Sequence, residues 1–318
     1  MTTHTDAEQP GREPVDESPG EAGTPPAPAA TSRWRETLGI LVRNRLALFA
    51  LVVLGVLLLA GLTGPYVAPY GFNEVVVEDR LEAPSSAHLF GTDNLGRDVF
   101  SRVLLGARVS ILVGVVAVGI SLTVGTLFGL VAGFYGGKID DGIMRLMDVL
   151  FAFPALLMAI AVLAILGPGT VNAMVAIGIV YTPIFARVTR GSVLSVREAD
   201  FVRAARSIGA GDVRLAGLHV LPNVLAPIIV QTSVSLAFAI LSEAALSFLG
   251  LGTQPPNPSW GRMLSEGRAF IQQAWWIAVF PGLAIFFTVL SFNVLGDALR
   301  DVLDPRQKSA IESRGMSA

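Results

Sequence analysis

Residues that could perform chemistry are few in this sequence, and none has the spacing of a catalytic or metal site. The three histidines, His4, His88 and His219, lie far apart along the chain, and cysteine is absent. Disulfides and thiolate ligands are therefore excluded, and no two histidines have metal-ligand spacing. We expect neither a metal ion nor a cofactor.

A glycine-rich run at 132–139, AGFYGGKI, comes nearest to a nucleotide-binding loop. It has Ala132 where a P-loop has its first glycine and Ile139 where a P-loop has Ser or Thr. It therefore lacks the spacing glycine and the hydroxyl group that binds Mg²⁺. The sequence also contains no G-x-S-x-G or H-E-x-x-H motif. We predict that the chain itself neither hydrolyses ATP nor performs covalent catalysis.

The composition indicates an integral membrane protein. Of 318 residues, 52% are hydrophobic and 15% are charged, whereas soluble domains carry about 25% charged residues. A net charge of −2 gives no reason to expect a nucleic-acid partner. The chain is predicted to be all-α and surrounded by membrane lipid.

Six apolar stretches are long enough to be considered as transmembrane helices. The first follows several arginines and is interpreted as a retained signal anchor, and the fourth, the shortest, could extend past Arg187. The predicted spans are 46–67, 109–134, 149–166, 171–186, 224–249 and 274–295.

The segments between the spans predict the domain organisation and the orientation. Residues 1–32 lack large apolar side chains, which favours a disordered tail, and 33–305 form the membrane domain, followed by a tail at 306–318. With the N-terminus inside, inner segments hold 17 of the 23 Lys and Arg residues. This distribution favours cytoplasmic termini, an outer loop at 68–106 and a cytoplasmic loop at 195–222.

The second predicted span carries glycines at four-residue spacing, Gly125, Gly129 and Gly133. Small residues on one stripe allow helix backbones to approach closely. The stripe fits packing within one chain as well as contact with another subunit.

The cytoplasmic loop contains a short amphipathic pattern. Ser195 and Glu198 have capping-box spacing, while Arg203 and Arg206 lie opposite an apolar arc. Gly209 and Gly211 are predicted to end this helix, and Pro222 to begin the next one. The apolar arc consists of Phe201, Val202, Ala204, Ala205 and Ile208. The pattern alone fits a helix lying on lipid as well as a helix docking into a groove of another protein.

This loop resembles the EAA loop of ABC-importer permeases, in which a coupling helix enters a cleft of the ATPase subunit. Arg203 replaces the usual Glu and His219 the usual Ile, as in the dipeptide/oligopeptide permease family. The matching positions are Ala204, Ala205, Gly209, Leu221 and Pro222.

Three further segments resemble the C-type subunit of that permease pair: 88–114, 148–161 and 242–264. The resemblance covers about residues 33–305. It implies a type I ABC-importer permease bundle in a bacterial-type plasma membrane, importing di- or oligopeptides. It also implies a homologous second permease, two ATP-binding cassette ATPase subunits and an extracytoplasmic substrate-binding protein.

Two outer-side residues are candidates for a pore or outer gate. Glu243, late in the fifth span, fits either a pore-lining group or a helix-end carboxylate bonded to the next loop. Trp260 fits either a lid that contacts the binding protein or a simple interfacial loop.

Metal chelates and oligosaccharides are alternative cargoes within the same transporter class. A passive channel is a different class, and it would need no docking helix.

Overall fold

The computed structural model describes residues 44–303, and this part of the chain is helical. The predicted tails, 1–32 and 306–318, lie outside the described residues. Nine α-helices and two short 3₁₀ helices, Val77–Asp79 and Arg268–Phe270, are present within 44–303. The α-helices are α1 (Arg45–Val67), α2 (Val99–Tyr135), α3 (Gly137–Phe151), α4 (Ala155–Leu166), α5 (Thr170–Val196), α6 (Asp200–Ser207), α7 (Asp212–Phe248), α8 (Trp260–Gly267) and α9 (Trp276–Leu303).

Five helices, α1, α2, α5, α7 and α9, are long and apolar enough to cross a membrane. A sixth crossing exists only if α3 and α4 are counted together, and these two helices meet at 92°. The predicted span 149–166 covers the last residues of α3, the bend at Pro154 and α4, and its crossing of the membrane stays a prediction. Pro154 has φ −54° and ψ 131° and ends the helical path, because a proline disfavours helical backbone in the residue before it.

The helix that contains the second predicted span is longer than the apolar stretch from which the span was predicted. The predicted span 109–134 lies within α2, whose 37 residues extend for about 55 Å. Asp98 starts this helix by accepting a hydrogen bond from the Ser101 amide at 2.7 Å. Arg102, in the first turns, is buried and bonded to Glu266 at 3.0 Å. The helix can therefore continue beyond the hydrocarbon thickness of about 30 Å.

The glycine stripe of α2 is a contact within this chain. A Cβ atom on Gly129 would lie 2.4 Å from the Ala186 carbonyl oxygen, and one on Gly125 would lie 2.6 Å from the Phe185 Cβ. On Gly133 it would lie 2.9 Å from Val193. The glycines therefore bring the backbones of α2 and α5 together, as small residues do between membrane helices.

The helix α3 crosses the later part of α5 and is joined to it by two ion pairs. Arg190 of α5 binds both carboxylate oxygens of Asp140, with a distance of 2.6 Å from Nη2 to Oδ2. Arg187 binds Asp148 at 2.7 Å on a more exposed surface. These contacts hold α3 beside the end of α5 from which the next loop departs.

Candidate coupling surface

The segment predicted to contact an ATPase begins where α5 ends. The Arg197 guanidinium donates to the Gly133 carbonyl of α2 at 2.7 Å, which fixes this corner. The predicted cap by Ser195 and Glu198 is wrong, because Ser195 still belongs to α5. Ala199 precedes α6 without a side-chain cap, and Glu198 instead pairs with Arg197 at 3.1 Å.

The apolar arc of α6 is divided between the protein interior and the surface. Val202 is 1% exposed and Ala205 is 9% exposed, and both pack in the core. Phe201 is 46% exposed and Ile208 is 86% exposed. The predicted single apolar face is therefore two faces. One holds the helix to the bundle, and the other leaves two large apolar side chains open.

The two arginines of α6 have different surroundings. Arg203 forms an exposed ion pair with Asp200 at 2.5 Å. The Arg206 guanidinium lies 5.8 Å from the centre of the Phe134 ring, near the end of α2, within the range of a cation–π contact. Arg206 therefore adds a link between α6 and the spanning helix α2.

The helix α6 ends in the two hydrogen bonds of a Schellman motif. The Ala210 amide donates to the Ala205 carbonyl at 3.1 Å, and the Gly209 amide donates to the Arg206 carbonyl at 3.0 Å. Gly209 has φ +90°, in the left-handed region that glycine favours. Gly211 has φ −71° and precedes α7. Gly209 therefore ends α6 as predicted, whereas Gly211 belongs to the start of the next helix.

The helix α7 does not restart at Pro222 as predicted but runs through it. Residues Leu215–Val220 form a π-helical stretch, in which the Leu221 amide donates to the Ala216 carbonyl. A wider turn of this kind accommodates Pro222, which has no amide hydrogen. Leu215 and Val220 are fully buried here, so the loop is anchored to the fifth span.

Residues 199–220, called the projection below, are packed against the bundle and do not form a free loop. The corner at Arg197, the buried face of α6 and the anchored start of α7 hold it on three sides. Its open surface carries large apolar side chains surrounded by charged ones, a pattern suited to insertion into a groove of another protein. The exposed apolar residues are Phe201, Ile208, Val213 and Leu218.

The two outer candidates, Glu243 and Trp260, are both buried. The Ser247 hydroxyl donates to Glu243 Oε1 at 2.7 Å and accepts from the Thr253 amide at 3.0 Å. The carboxylate is thus linked through Ser247 to the loop between α7 and α8, as a helix-end carboxylate would be. Its Oε2 has no hydrogen-bond partner among the described residues. A role in the pore stays a prediction.

Trp260 is 0% exposed and begins α8. Its indole Nε1 donates to the Val103 carbonyl of α2 at 3.0 Å. In this conformation the side chain packs inside the protein and does not form an exposed lid. The exposed residues of the same loop are Pro255, Pro256 and Asn257.

A polar network on the same side was missed by the sequence reasoning. Arg97 binds Asp93 at 2.6 Å and Glu266 at 2.7 Å, and Glu266 also binds Arg102 and Arg262. The network joins the start of α2 and the residues before it to α8. The signal available in the sequence is the presence of Arg97 and Arg102 close to the apolar stretch that begins at residue 109.

Comparison with known proteins decides what kind of membrane protein this is. A sequence model described as the binding-protein-dependent transport system inner membrane component matches residues 125–309. The chain belongs to this family. A second model, the N-terminal transmembrane domain of oligopeptide transport permease C, matches residues 32–84.

Relatives of this permease match most of the chain. It is 48% identical to the dipeptide transport system permease protein DppC of Alkalihalophilus pseudofirmus, over 88% of this chain and 92% of that protein. It is 46% identical to the glutathione transport system permease protein GsiD of Pectobacterium atrosepticum, over 87% of this chain and 92% of that protein. The predicted resemblance to the dipeptide/oligopeptide permeases is confirmed.

Solved structures of an inward-facing methionine ABC transporter, MetNI, share the fold. One aligns with a TM-score of 0.53 at 15% identity, covering 64% of this chain and 96% of that chain. The predicted all-α permease bundle is confirmed. The chain is a transmembrane subunit of an ABC importer, and ATP hydrolysis in this family is carried out by separate ATPase subunits.

Proposed function

We propose that this permease conducts di- or oligopeptides, delivered by an extracytoplasmic binding protein, across the inner membrane. The names of its relatives at 46–48% identity support this substrate class, since they describe dipeptide and glutathione transport. Uptake assays with labelled peptides, a metal chelate and an oligosaccharide, in the presence of the cognate binding protein, test it. Uptake of the metal chelate or of the oligosaccharide, without uptake of the peptides, would contradict the substrate class.

The permease is proposed to pair with a homologous second permease and to bind two ATPase subunits through such projections. The observation that carries this proposal is the division of α6. Val202 and Ala205 fix the helix to the bundle, while Phe201 and Ile208 remain exposed. A passive channel has no need of such a projection.

The projection is connected firmly enough to transmit movement. Arg197 and Arg206 contact the end of α2, and α2 packs against α5 along the glycine stripe. A displacement of α6 by closure of the ATPase subunits would therefore move α2, α5 and α7 together. Rigid packing of this kind is the physical basis for coupling between a motor and a gate.

Ile208 gives a direct test with a matched control. Ile208→Ala should weaken association with the ATPase subunits by about tenfold or more, as expected for loss of a buried apolar anchor at an interface. Ile165→Ala is the control, because Ile165 is also 86% exposed but lies at the far end of α4.

Co-purification from detergent and ATP-driven uptake in proteoliposomes measure the effect. Ile165→Ala should retain both association and uptake, whereas Ile208→Ala should show weaker association and slower uptake. Equal association of the ATPase subunits with the two variants would contradict docking through α6.

A further inference from the structure

Three potential metal ligands meet in the segment between α1 and α2. Asp79, Glu82 and His88 each offer one ligand atom, and these atoms lie within 4.8 Å of one another. The spacing of the histidines along the chain does not predict a metal site. The fold creates the cluster by returning the chain at His88 to the 3₁₀ turn at Val77–Asp79.

The imidazole of His88 is held by groups outside this cluster. Its Nδ1 lies 2.9 Å from the buried Oδ1 of Asp98, and its ring lies 4.7 Å from the ring of Tyr70. The other oxygen of Asp98 accepts the Ser101 amide at the start of α2. A carboxylate at Nδ1 favours a proton on that nitrogen, which leaves the lone pair of Nε2 free.

The free nitrogen points into the cluster. His88 is 5% exposed, so water has little access to its ring. The nearest carboxylate oxygen to Nε2 is Asp79 Oδ2 at 3.6 Å, which is beyond hydrogen-bond distance. No hydrogen bond to Nε2 occurs within residues 44–303. Nε2 therefore faces the carboxylates of the cluster without a hydrogen bond from the described residues.

The local charge favours a cation. Three carboxylates, those of Asp79, Glu82 and Asp98, surround one imidazole. Across 44–303, no Lys or Arg nitrogen lies within 4.0 Å of any of these carboxylates. The neighbouring Arg80 is directed away, since its guanidinium donates to the Asn94 carbonyl at 2.8 Å. With a neutral imidazole, the cluster therefore has negative charge that no Lys or Arg side chain compensates within the described residues.

We propose that Asp79, Glu82 and His88 bind one Zn²⁺ ion, with Asp98 orienting the imidazole. An imidazole nitrogen with carboxylate oxygens suits Zn²⁺ better than Mg²⁺ or Ca²⁺, which prefer oxygen ligands alone. Zinc bonds of about 2.0–2.2 Å place ligands about 3.3 Å apart, so ligand atoms that now lie within 4.8 Å of one another must move closer together. Glu82 is exposed and can make that movement.

Bound zinc would tie residues 79–88 into a closed loop fixed to α2 through Asp98. The site lies at the end of α2 opposite the coupling surface, and its existence does not depend on the proposed substrate or on ATPase docking. Its expected consequence is stabilisation of the outer segment, because an ion that binds the folded state raises its unfolding temperature.

The purified full-length permease, stripped with chelator and then dialysed against ZnCl₂, tests the proposal. We expect one zinc ion per chain by elemental analysis, and a Co²⁺ absorption spectrum that zinc abolishes. Glu82→Gln and His88→Gln should each weaken Zn²⁺ binding tenfold or more. Glu78→Gln is the control, because Glu78 is exposed nearby but outside the cluster.

Retention of less than stoichiometric zinc by the wild-type protein would overturn the proposal, and so would equal zinc affinity of Glu82→Gln and Glu78→Gln. Should His88→Gln fail to fold, Glu82→Gln still decides, because Glu82 is exposed. Zinc should raise the thermal midpoint of the wild-type protein and of Glu78→Gln, but not that of Glu82→Gln.

Discussion

Single residues in this permease act through backbone geometry as much as through side-chain chemistry. Gly209 has φ +90°, and a Cβ added there would meet nothing within 4 Å. A larger residue would therefore be disfavoured by its backbone conformation and not by collision. A left-handed conformation costs an L-residue roughly 1–2 kcal/mol.

We predict that Gly209→Val uncouples transport from ATP hydrolysis while the chain remains inserted. The β-branched side chain disfavours the left-handed backbone that ends α6, so the orientation of the projection changes. Gly211→Val is the control, since Gly211 has an ordinary φ of −71° and equally open space around its Cβ. Uptake per ATP hydrolysed in proteoliposomes is the measurement. Normal uptake by Gly209→Val would count against coupling through this helix.

Elements of the fold are set by close backbone approach as well as by apolar patterning. The stripe of α2 fits against α5 because glycine leaves space for the carbonyl of Ala186 and the side chain of Thr189. Gly119 of the same helix has no atom within 4 Å of its added Cβ. Gly119 and the glycines of the stripe are the same residue type in the same helix, and only their packing distinguishes them.

Gly129→Ala should destabilise the permease by about 1–3 kcal/mol, the usual cost of overpacking. The added methyl group would lie 2.4 Å from a backbone carbonyl, so α2 and α5 must separate. Gly119→Ala should be neutral or slightly stabilising, because alanine is the better helix former. Thermal unfolding in detergent compares the two variants. Equal midpoints would show that the stripe is not a tight contact.

At the scale of the whole molecule, the helix α2 is about 55 Å long, and a different group of functional residues lies at each of its two ends. Arg197 and α6 lie at the end of α2 that contains Gly133. The polar network of Arg97 and Glu266 gathers at the other. The excess of Lys and Arg in the segments around α6 supports a cytoplasmic position for that end and for both termini.

The absence of cysteine allows a clean test of this orientation. We expect a membrane-impermeant thiol reagent to label Asn257→Cys in intact spheroplasts, and to label Ser207→Cys only after permeabilisation. Both positions are exposed in the structure, so access depends on the side of the membrane. Labelling of Ser207→Cys in sealed spheroplasts would reverse the proposed topology.

Much of this architecture was predictable from local signals. Apolar length alone predicts five of the spanning helices, and the left-handed preference of Gly209 predicts where α6 ends. The family resemblance rested on continuous motifs and is confirmed. Pro154 was visible in the sequence, yet the 92° bend went unpredicted because apolar length reports hydrophobicity and not direction.

Tertiary structure decided what local periodicity cannot encode. It divided the apolar arc of α6 into a buried face and an open one, because neighbouring helices cover only Val202 and Ala205. It buried Trp260 against α2, and it brought Asp79 and His88 together across a loop. The first two outcomes depend on contacts between residues distant in sequence, and the third on how a loop folds back, so their free energy appears only when the chain packs.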